Sequence, residues 1–245
     1  GSSRSIAGPN IVLNTIVAEE LSEFADILEK ADDFKKALDE LVKKTIKEHK
    51  RIIFNGDGYT DAWVEEAERR GLLNLKTTVD AMPSIIAPKN VALFTKHGIF
   101  TEAELQSRYE IQLENYSKTI NIEALTMIDM VNKEILPAVE KYMDDLSNAF
   151  IHKKTLNPNM NCHVEYERVT ELSELSAAVY DEAAALKETV AAAAAVEDFA
   201  AQARAYEASV LPAMQSLRAD TDKMETLTGS SDWPIPTYAD LIYHV

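Results

Sequence analysis

The sequence contains a single cysteine, Cys162, among 245 residues, which excludes an internal disulfide bond. One unpaired thiol is typical of proteins in a reducing compartment, so we predict a cytoplasmic location. No apolar run reaches the roughly 18 residues that a membrane-spanning helix needs, so we expect no contact with a membrane interior. Only seven glycines and eight prolines are present, and this scarcity of turn-forming residues favours a helical fold.

Positive charge is also scarce, with 25 lysines and arginines against 41 aspartates and glutamates. The resulting net charge of −16 argues against nucleic acid or an anionic membrane surface as a partner. Its usual explanation is a solvated acidic surface. The hydrophobic share of 46% indicates a globular chain with a buried core and not a disordered one.

An apolar stripe with spacings of three and four predicts one very long helix over about residues 101–150. A Thr101–Glu104 capping pair marks its start. Because a helix of this length is unstable alone, other helices must cover it. The stripe consists of Tyr109, Leu113, Tyr116, Ile120, Ala124, Met127, Val131, Ile135, Ala138 and Tyr142.

The rest of the chain supplies the helices that this cover requires. Two further long helices are predicted at about 164–195 and 197–228, followed by an extended tail at 229–245 in which Trp233 and Tyr238 dock on the bundle. We therefore predict a mainly α fold, an antiparallel helical bundle around the very long helix, with short connecting helices and little or no β-structure. A proline-rich ligand for another protein is the alternative role of the tail.

The first 50 residues predict two helices, at about 11–30 and 33–49. A turn at residues 8–10 is expected to precede the first helix, and Asp33 to begin the second. The first helix is expected to bury most of one apolar face, formed by Val12, Ile16, Leu21, Phe24 and Leu28.

Pro137 and Pro212 lie inside helical patterns, in the similar sequences Ile-Leu-Pro-Ala-Val and Val-Leu-Pro-Ala-Met. Each is expected to kink its helix and to free the carbonyl group one turn back, at Lys133 and Ala208. The similarity also suggests a weak internal repeat of helical hairpins.

The segment Asn55-Gly56-Asp57-Gly58-Tyr59 is the strongest candidate for a ligand loop. Its glycines predict a tight turn with positive φ, either a hairpin or a phosphate-binding loop. The lysine and the glycine spacing of nucleotide-binding loops are absent, and Asp57 with Asp61 lacks the spacing of a calcium loop.

No cluster of residues predicts a catalytic or metal site. His152, Cys162 and His163 flank the loop at 157–161, but a pair of ligands does not make a metal site. The other histidines, His49, His97 and His244, are scattered. Carboxylates at Glu110, Glu114 and Glu123 of the long helix are typical of a solvated face. We therefore assign no catalytic, cofactor-binding or metal-binding residue.

Several stretches, in order along the chain, carry a resemblance to a known family. They are Gly1-Ser2-Ser3 with residues 8–10 and 13–16; residues 54–59 with Trp63 and residues 67–72; residues 107–110; residues 119–130; residues 134–138; and residues 233–238. Together they resemble the C-terminal part of type III glutamine synthetase. The alanine-rich residues 177–208 match least.

The resemblance implies a parent enzyme that makes glutamine from glutamate, ammonia and ATP with Mg²⁺ or Mn²⁺. In that family the metal ligands and the glutamate-binding arginine lie on strands that would precede Gly1. Residues 1–50 would then be the terminal helices of the catalytic domain, and 51–245 the type-specific C-terminal helical domain. Ser2, Ser3 and Arg4 would lie near the active site without an assignable role, and this fragment alone is expected to be inactive.

The resemblance also implies partners: its own catalytic domain and neighbouring subunits in an oligomer of stacked hexameric rings. We expect a role in assembly or regulation of that oligomer. Two alternatives stay open, an independent helical interaction module without activity and a small helical enzyme with a hidden site. Residues 1–4 are either a tag remnant or the cut end of the parent chain.

Overall fold

Helices make up the regular secondary structure of the computed structural model, which describes residues 5–236 and 238–242, without the side chains of residues 238 and 239. No strand occurs within those ranges, which confirms the mainly α prediction. None of the described helices is both long and apolar enough to cross a bilayer. The chain divides into two compact units, Gly1–Ile111 and Gln112–Val245.

The first unit consists of short and medium helices. They are α1 (Ala7–Leu28), α2 (Phe34–His49), a 3₁₀ turn (Lys50–Ile52), α3 (Asp61–Arg69), α4 (Thr78–Ala81), a 3₁₀ turn (Met82–Ser84) and α5 (Pro88–Lys96). Helix α1 contacts both α2 and α5. The side chain of Asp33 accepts a hydrogen bond from the Lys36 amide and so caps α2, as predicted.

The turn predicted at residues 8–10 was wrong, because α1 already begins at Ala7. Pro9 lies in the first turn of the helix, where a residue without an N–H group leaves no intrahelical hydrogen bond unmade. The amide of Asn10 donates to the carbonyl of Ile6 at 3.1 Å.

The very long helix predicted at about 101–150 is present and slightly longer. It comprises α6 (Glu102–Met130), a first π segment (Val131–Ile135) and α7 (Leu136–Leu156), 55 residues in all. Its start has the predicted capping box. The Thr101 amide donates to Glu104 Oε2 at 2.8 Å, and the Glu104 amide donates to Thr101 Oγ1 at 3.3 Å.

The second unit is a bundle of the long helix from Gln112 onwards and two further helices. These are α8 (His163–Ala194) and a helix formed by α9 (Phe199–Ala205), a second π segment (Tyr206–Val210) and α10 (Leu211–Leu227). The connection between α7 and α8 is short, so these two helices are antiparallel neighbours. Helix α8 contacts both α7 and α10, and the core residues with almost no exposure include Val139, Leu172, Leu186, Leu217 and Met224.

Each of the two prolines directly follows a π segment, which the sequence did not predict, and the kink that we expect at each stays a prediction. Pro137 and Pro212 each occupy the second position of an α-helix that directly follows a π segment. The amide of Leu136 donates to the carbonyl of Val131 five residues back, which widens the backbone just before the proline ring. The two similar sequences therefore share the same local structure.

The tail docks on the bundle through Trp233, which is buried, as predicted. The Trp233 amide donates to the carbonyl of Gly229 at 3.1 Å, and Asp232 pairs with Lys141 at 3.1 Å. Ile235 packs against the same core. A last helix, α11, spans Tyr238–Ile242, so the prediction of an extended tail over 229–245 was wrong for these residues. The predicted docking of the Tyr238 side chain lies outside the described residues.

Candidate interaction surface

The first unit exposes an apolar stripe along α2. Phe34, Leu38, Val42 and Ile46 follow one another at intervals of four residues, and their side chains are 59%, 37%, 48% and 55% exposed. This spacing places them on one face of the helix, which we call the α2 stripe. Leu41 is the one buried residue that α2 contributes to the unit.

Helix α1 also exposes large apolar side chains. Large apolar residues are exposed along most of its length, while Thr15 is buried with its hydroxyl donating to the Ile11 carbonyl. We expected Val12, Ile16 and Leu21 to lie on a buried face of α1, and this expectation was wrong, because all three side chains are exposed. The exposed large apolar residues of α1 are Val12, Leu13, Ile16, Val17, Leu21 and Ile27.

Such exposure of large apolar side chains is energetically costly. Burying one large aliphatic or aromatic side chain is worth about 1.5–3 kcal/mol, so a partner covering the α2 stripe would gain several kcal/mol. Contiguous apolar patches on protein surfaces commonly mark interaction sites. We call the exposed apolar residues of α1 and α2 together the α1–α2 face.

Polar contacts, partly open to solvent, also hold α1 in place. Glu19 of α1 receives a hydrogen bond from Lys96 Nζ at 2.7 Å, and its other oxygen lies 2.6 Å from His97 Nε2. The bond from Lys96 holds the pKa of the Glu19 carboxyl below its ordinary value, and the bond with His97 lowers this pKa further. The same contact raises the pKa of the Lys96 ammonium group. These groups tie α1 to the end of α5.

The loop that joins α2 to α3 is exposed from Asn55 to Tyr59. It is not a β-hairpin, because a 3₁₀ turn precedes it and a helix follows it. The predicted positive φ was also wrong, since Gly71 and Gly98 are the described residues with that conformation. Gly56 is needed for another reason: a Cβ atom there would lie 2.6 Å from Cζ of Phe54.

A cluster of side chains forms the base of this loop. The ring of Phe54 stacks on that of Trp63 with a centroid distance of 3.9 Å. The guanidinium group of Arg70 lies 5.5 Å from the Trp63 ring centroid, and it donates to the carbonyls of Arg51 and Ile53. At the tip, the Asp57 carboxylate accepts a hydrogen bond from the Tyr59 amide at 2.9 Å. These contacts account for a structural turn, and a ligand role of the loop stays a prediction.

The structure does not assemble the scattered polar residues into a site. Cys162 is buried beside the Met160 carbonyl, while His152 is exposed and His163 lies 3.6 Å from Glu167 on its own helix. Within the described ranges, no group of three or more histidine, cysteine, aspartate or glutamate side chains could hold a metal ion.

The carboxylates of the long helix interact along that helix. Glu110 accepts a hydrogen bond from Gln106, and Glu114 pairs with Lys118. Glu123 is exposed. Ser2, Ser3 and Arg4 lie outside the described residues. The α1–α2 face was missed because helical periodicity identifies an apolar face without showing what covers it.

Comparison with known proteins identifies what the chain is similar to. The glutamine synthetase C-terminal domain family matches residues 37–154. A glutamine synthetase from Butyrivibrio fibrisolvens is 41% identical over 86% of this chain and 30% of its own length. A type-3 glutamine synthetase from Dictyostelium discoideum is 33% identical over 99% of this chain and 34% of its own length. The chain thus spans about one third of the length of the curated relatives it matches.

Proposed function

Because the chain belongs to the glutamine synthetase family, in which it matches the C-terminal domain, we propose that it is the non-catalytic helical part of a type III enzyme. Its role is to support or regulate assembly of the oligomer. The similarity to the type-3 enzyme over nearly the whole chain supports this proposal.

The parent enzyme would make glutamine from glutamate, ammonia and ATP with Mg²⁺ or Mn²⁺. We place the reacting groups in the two thirds of the enzyme that this chain does not span. Metal ions there would neutralise the phosphates and bring the two substrates together. The enzyme would act in the cytoplasm, in keeping with the single buried thiol of Cys162.

The observation that carries the proposal is the α1–α2 face. It faces water in this chain, yet its apolar character is that of a core element. The preceding catalytic part of the enzyme is the partner that we propose for it. The second unit has a closed core of its own and would contact neighbouring subunits.

The proposal is tested in the full-length enzyme by Val42→Glu, which places a charge in the centre of the α2 stripe. Burying an unpaired carboxylate against the catalytic part is unfavourable, so we expect loss of the assembled oligomer and of glutamine formation. The readouts are light scattering after size-exclusion chromatography and glutamine formation from glutamate, ammonia and ATP.

Lys44→Gln is the matched control, since Lys44 is exposed on the same helix and both substitutions change the net charge by −1. It should leave assembly and activity intact. In the isolated chain Val42→Glu should preserve helix content by circular dichroism, because the residue is exposed there. A full-length Val42→Glu enzyme that assembles and works normally would refute the docking of this face.

A further inference from the structure

The second unit contains a cavity of about 480 Å³, lined by residues of the long helix, of α10 and of the tail. Its volume lies within the range of pockets that hold small molecules. Val131 and Ile135 of the first π segment are part of the lining, and π segments inside helices frequently occur at functional sites. We propose that this cavity binds a small organic cation with an apolar body, whose charge is held by the carboxylate of Glu225.

The lining of the cavity is mostly apolar. From the long helix come Ile135, which is buried, and Met127 and Met130, which are half-buried. Methionine side chains adapt their shape readily, so they can fit around a ligand. The tail contributes Trp233, which is buried, and Ile235, which is half-buried. All the lining residues belong to the second unit, so the site does not depend on the proposed function.

One carboxylate of the lining is not compensated by a cation. Glu225 of α10 is half-buried, and it makes no hydrogen bond or ion pair with any residue that the structure describes. Arg218 also lines the cavity, but its guanidinium group pairs with Asp222 at 3.5 Å. Lys223 is likewise engaged, since it pairs with Asp220 at 2.5 Å. A carboxylate that is partly removed from water beside apolar groups attracts a cation more strongly than it would in water.

The Trp233 side chain favours the same class of ligand, because an indole ring attracts cations more strongly than other aromatic rings do. Its Nε1 atom is buried without an acceptor among the described residues, so no hydrogen bond of the indole opposes a small movement of the ring when the cavity fills. The backbone around the ring is held by the bond from the Trp233 amide to the Gly229 carbonyl and by the pair of Asp232 with Lys141. The tail can thus adjust to a ligand without leaving the bundle.

Calorimetric titration of the full-length protein tests the chemical class of the ligand. Three probes share a phenyl ring and differ in charge: phenethylamine is a cation at neutral pH, phenethyl alcohol is neutral and hydrocinnamate is an anion. We expect phenethylamine to bind about tenfold more tightly than the other two, the effect of one charge-assisted contact.

The variant Glu225→Gln tests the carboxylate, because it removes the charge and keeps the size of the side chain. It should weaken binding of phenethylamine about tenfold and leave binding of phenethyl alcohol unchanged. Glu174→Gln is the matched control, since Glu174 is exposed on α8, does not line the cavity and undergoes the same change of charge. This control should bind all three probes as the original protein does.

The variant Met130→Trp tests the location of the site by placing a larger side chain in the half-buried lining. It should abolish binding of all three probes, with circular dichroism as the check that helix content is kept. A Met130→Trp protein of original helix content that still bound phenethylamine would overturn the site.

The remaining outcomes decide the proposal without reference to the role of the chain in the enzyme. Equally tight binding of phenethyl alcohol or hydrocinnamate would show that the cavity does not select a cation. Unchanged affinity for phenethylamine in Glu225→Gln would refute the role of the carboxylate. Absence of phenethylamine binding up to a concentration on the order of 10 mM would overturn the site. None of these results bears on assembly, which the Val42→Glu variant tests.

Discussion

At Gly56 the structure leaves little room for a side chain. A methyl group there would meet the ring of Phe54 at 2.6 Å, so the ring must move away from Trp63. We predict that Gly56→Ala destabilises the first unit by about 1 kcal/mol, the low end of the cost of overpacking, because the Phe54 ring is exposed and can shift. The loss should appear in denaturant unfolding and in a changed near-ultraviolet signal from Trp63.

Gly58 provides the control for this substitution. Its φ is not positive, and a Cβ atom there would lie 3.9 Å from the Trp63 ring, an ordinary contact. Gly58→Ala should therefore leave the stability and the signal nearly unchanged. Equal losses in the two variants would show that loop flexibility, and not the contact with Phe54, decides the effect.

The contact of Glu19 with Lys96 and His97 predicts that the stability of the first unit depends on pH. The lowered pKa of Glu19 means that its contribution to stability is present at neutral pH and is lost as the pH falls through the folded-state value, below 4.5. The raised pKa of Lys96 means that its contribution is complete below 10.5 and is lost as the pH rises through the folded-state value. The attachment of α1 should thus be strongest between these limits.

We expect Glu19→Gln to lower the unfolding midpoint of the first unit at neutral pH and to converge with the original protein in acid. Thermal unfolding across the pH range measures this difference. Glu20→Gln is the control, since Glu20 is exposed on the same helix and the charge change is identical. A difference between Glu19→Gln and the original protein that stays constant down to acid pH would contradict the role of the carboxylate.

At the scale of the elements, the long helices were predictable because each has an apolar stripe of helical period. The long helix, predicted at about 101–150, ends at Leu156, and α8 and α10 end within one residue of the predicted positions. The residues of α7 beyond the predicted end, 151–156, include none of the apolar stripe. They include Lys153, which pairs with Glu165. The apolar period therefore could not predict the end of this helix, because polar contacts and not apolar ones stabilise its last turn.

Other features of the elements could not be predicted because they depend on what surrounds them. A proline inside a helical pattern implies a disturbance of the helix, but the sequence pattern does not show that a π segment precedes it, as it does at Val131–Ile135 and Tyr206–Val210. Both prolines directly follow a π segment. Likewise, the helical period of the apolar residues of α1 was recognisable, but the period alone does not show whether a face is buried, and Val12, Ile16 and Leu21 are exposed.

At the scale of the whole molecule, apolar exposure is distributed unevenly. The large side chains with almost no exposure include Leu172, Leu186, Leu217 and Met224 of the second unit, whereas α1 and α2 of the first unit each contribute a single buried residue. Burial drives folding in rough proportion to the apolar area removed from water. The second unit therefore has the larger buried apolar core of the two.

Removing the bundle from the full-length enzyme tests the assembly role. Deletion of residues 101–245 leaves the contacts among α1, α2 and α5 in place, so we expect the catalytic part to stay folded while the oligomer dissociates or its activity changes.

A point variant tests the same role of the bundle without truncating the chain. Leu186→Asp puts a carboxylate where the side chain has no exposure, and should open the bundle. Ala185→Asp, at the exposed neighbouring position, is its control. If the deletion and Leu186→Asp both kept the original oligomer and activity, the bundle would have no part in assembly or regulation.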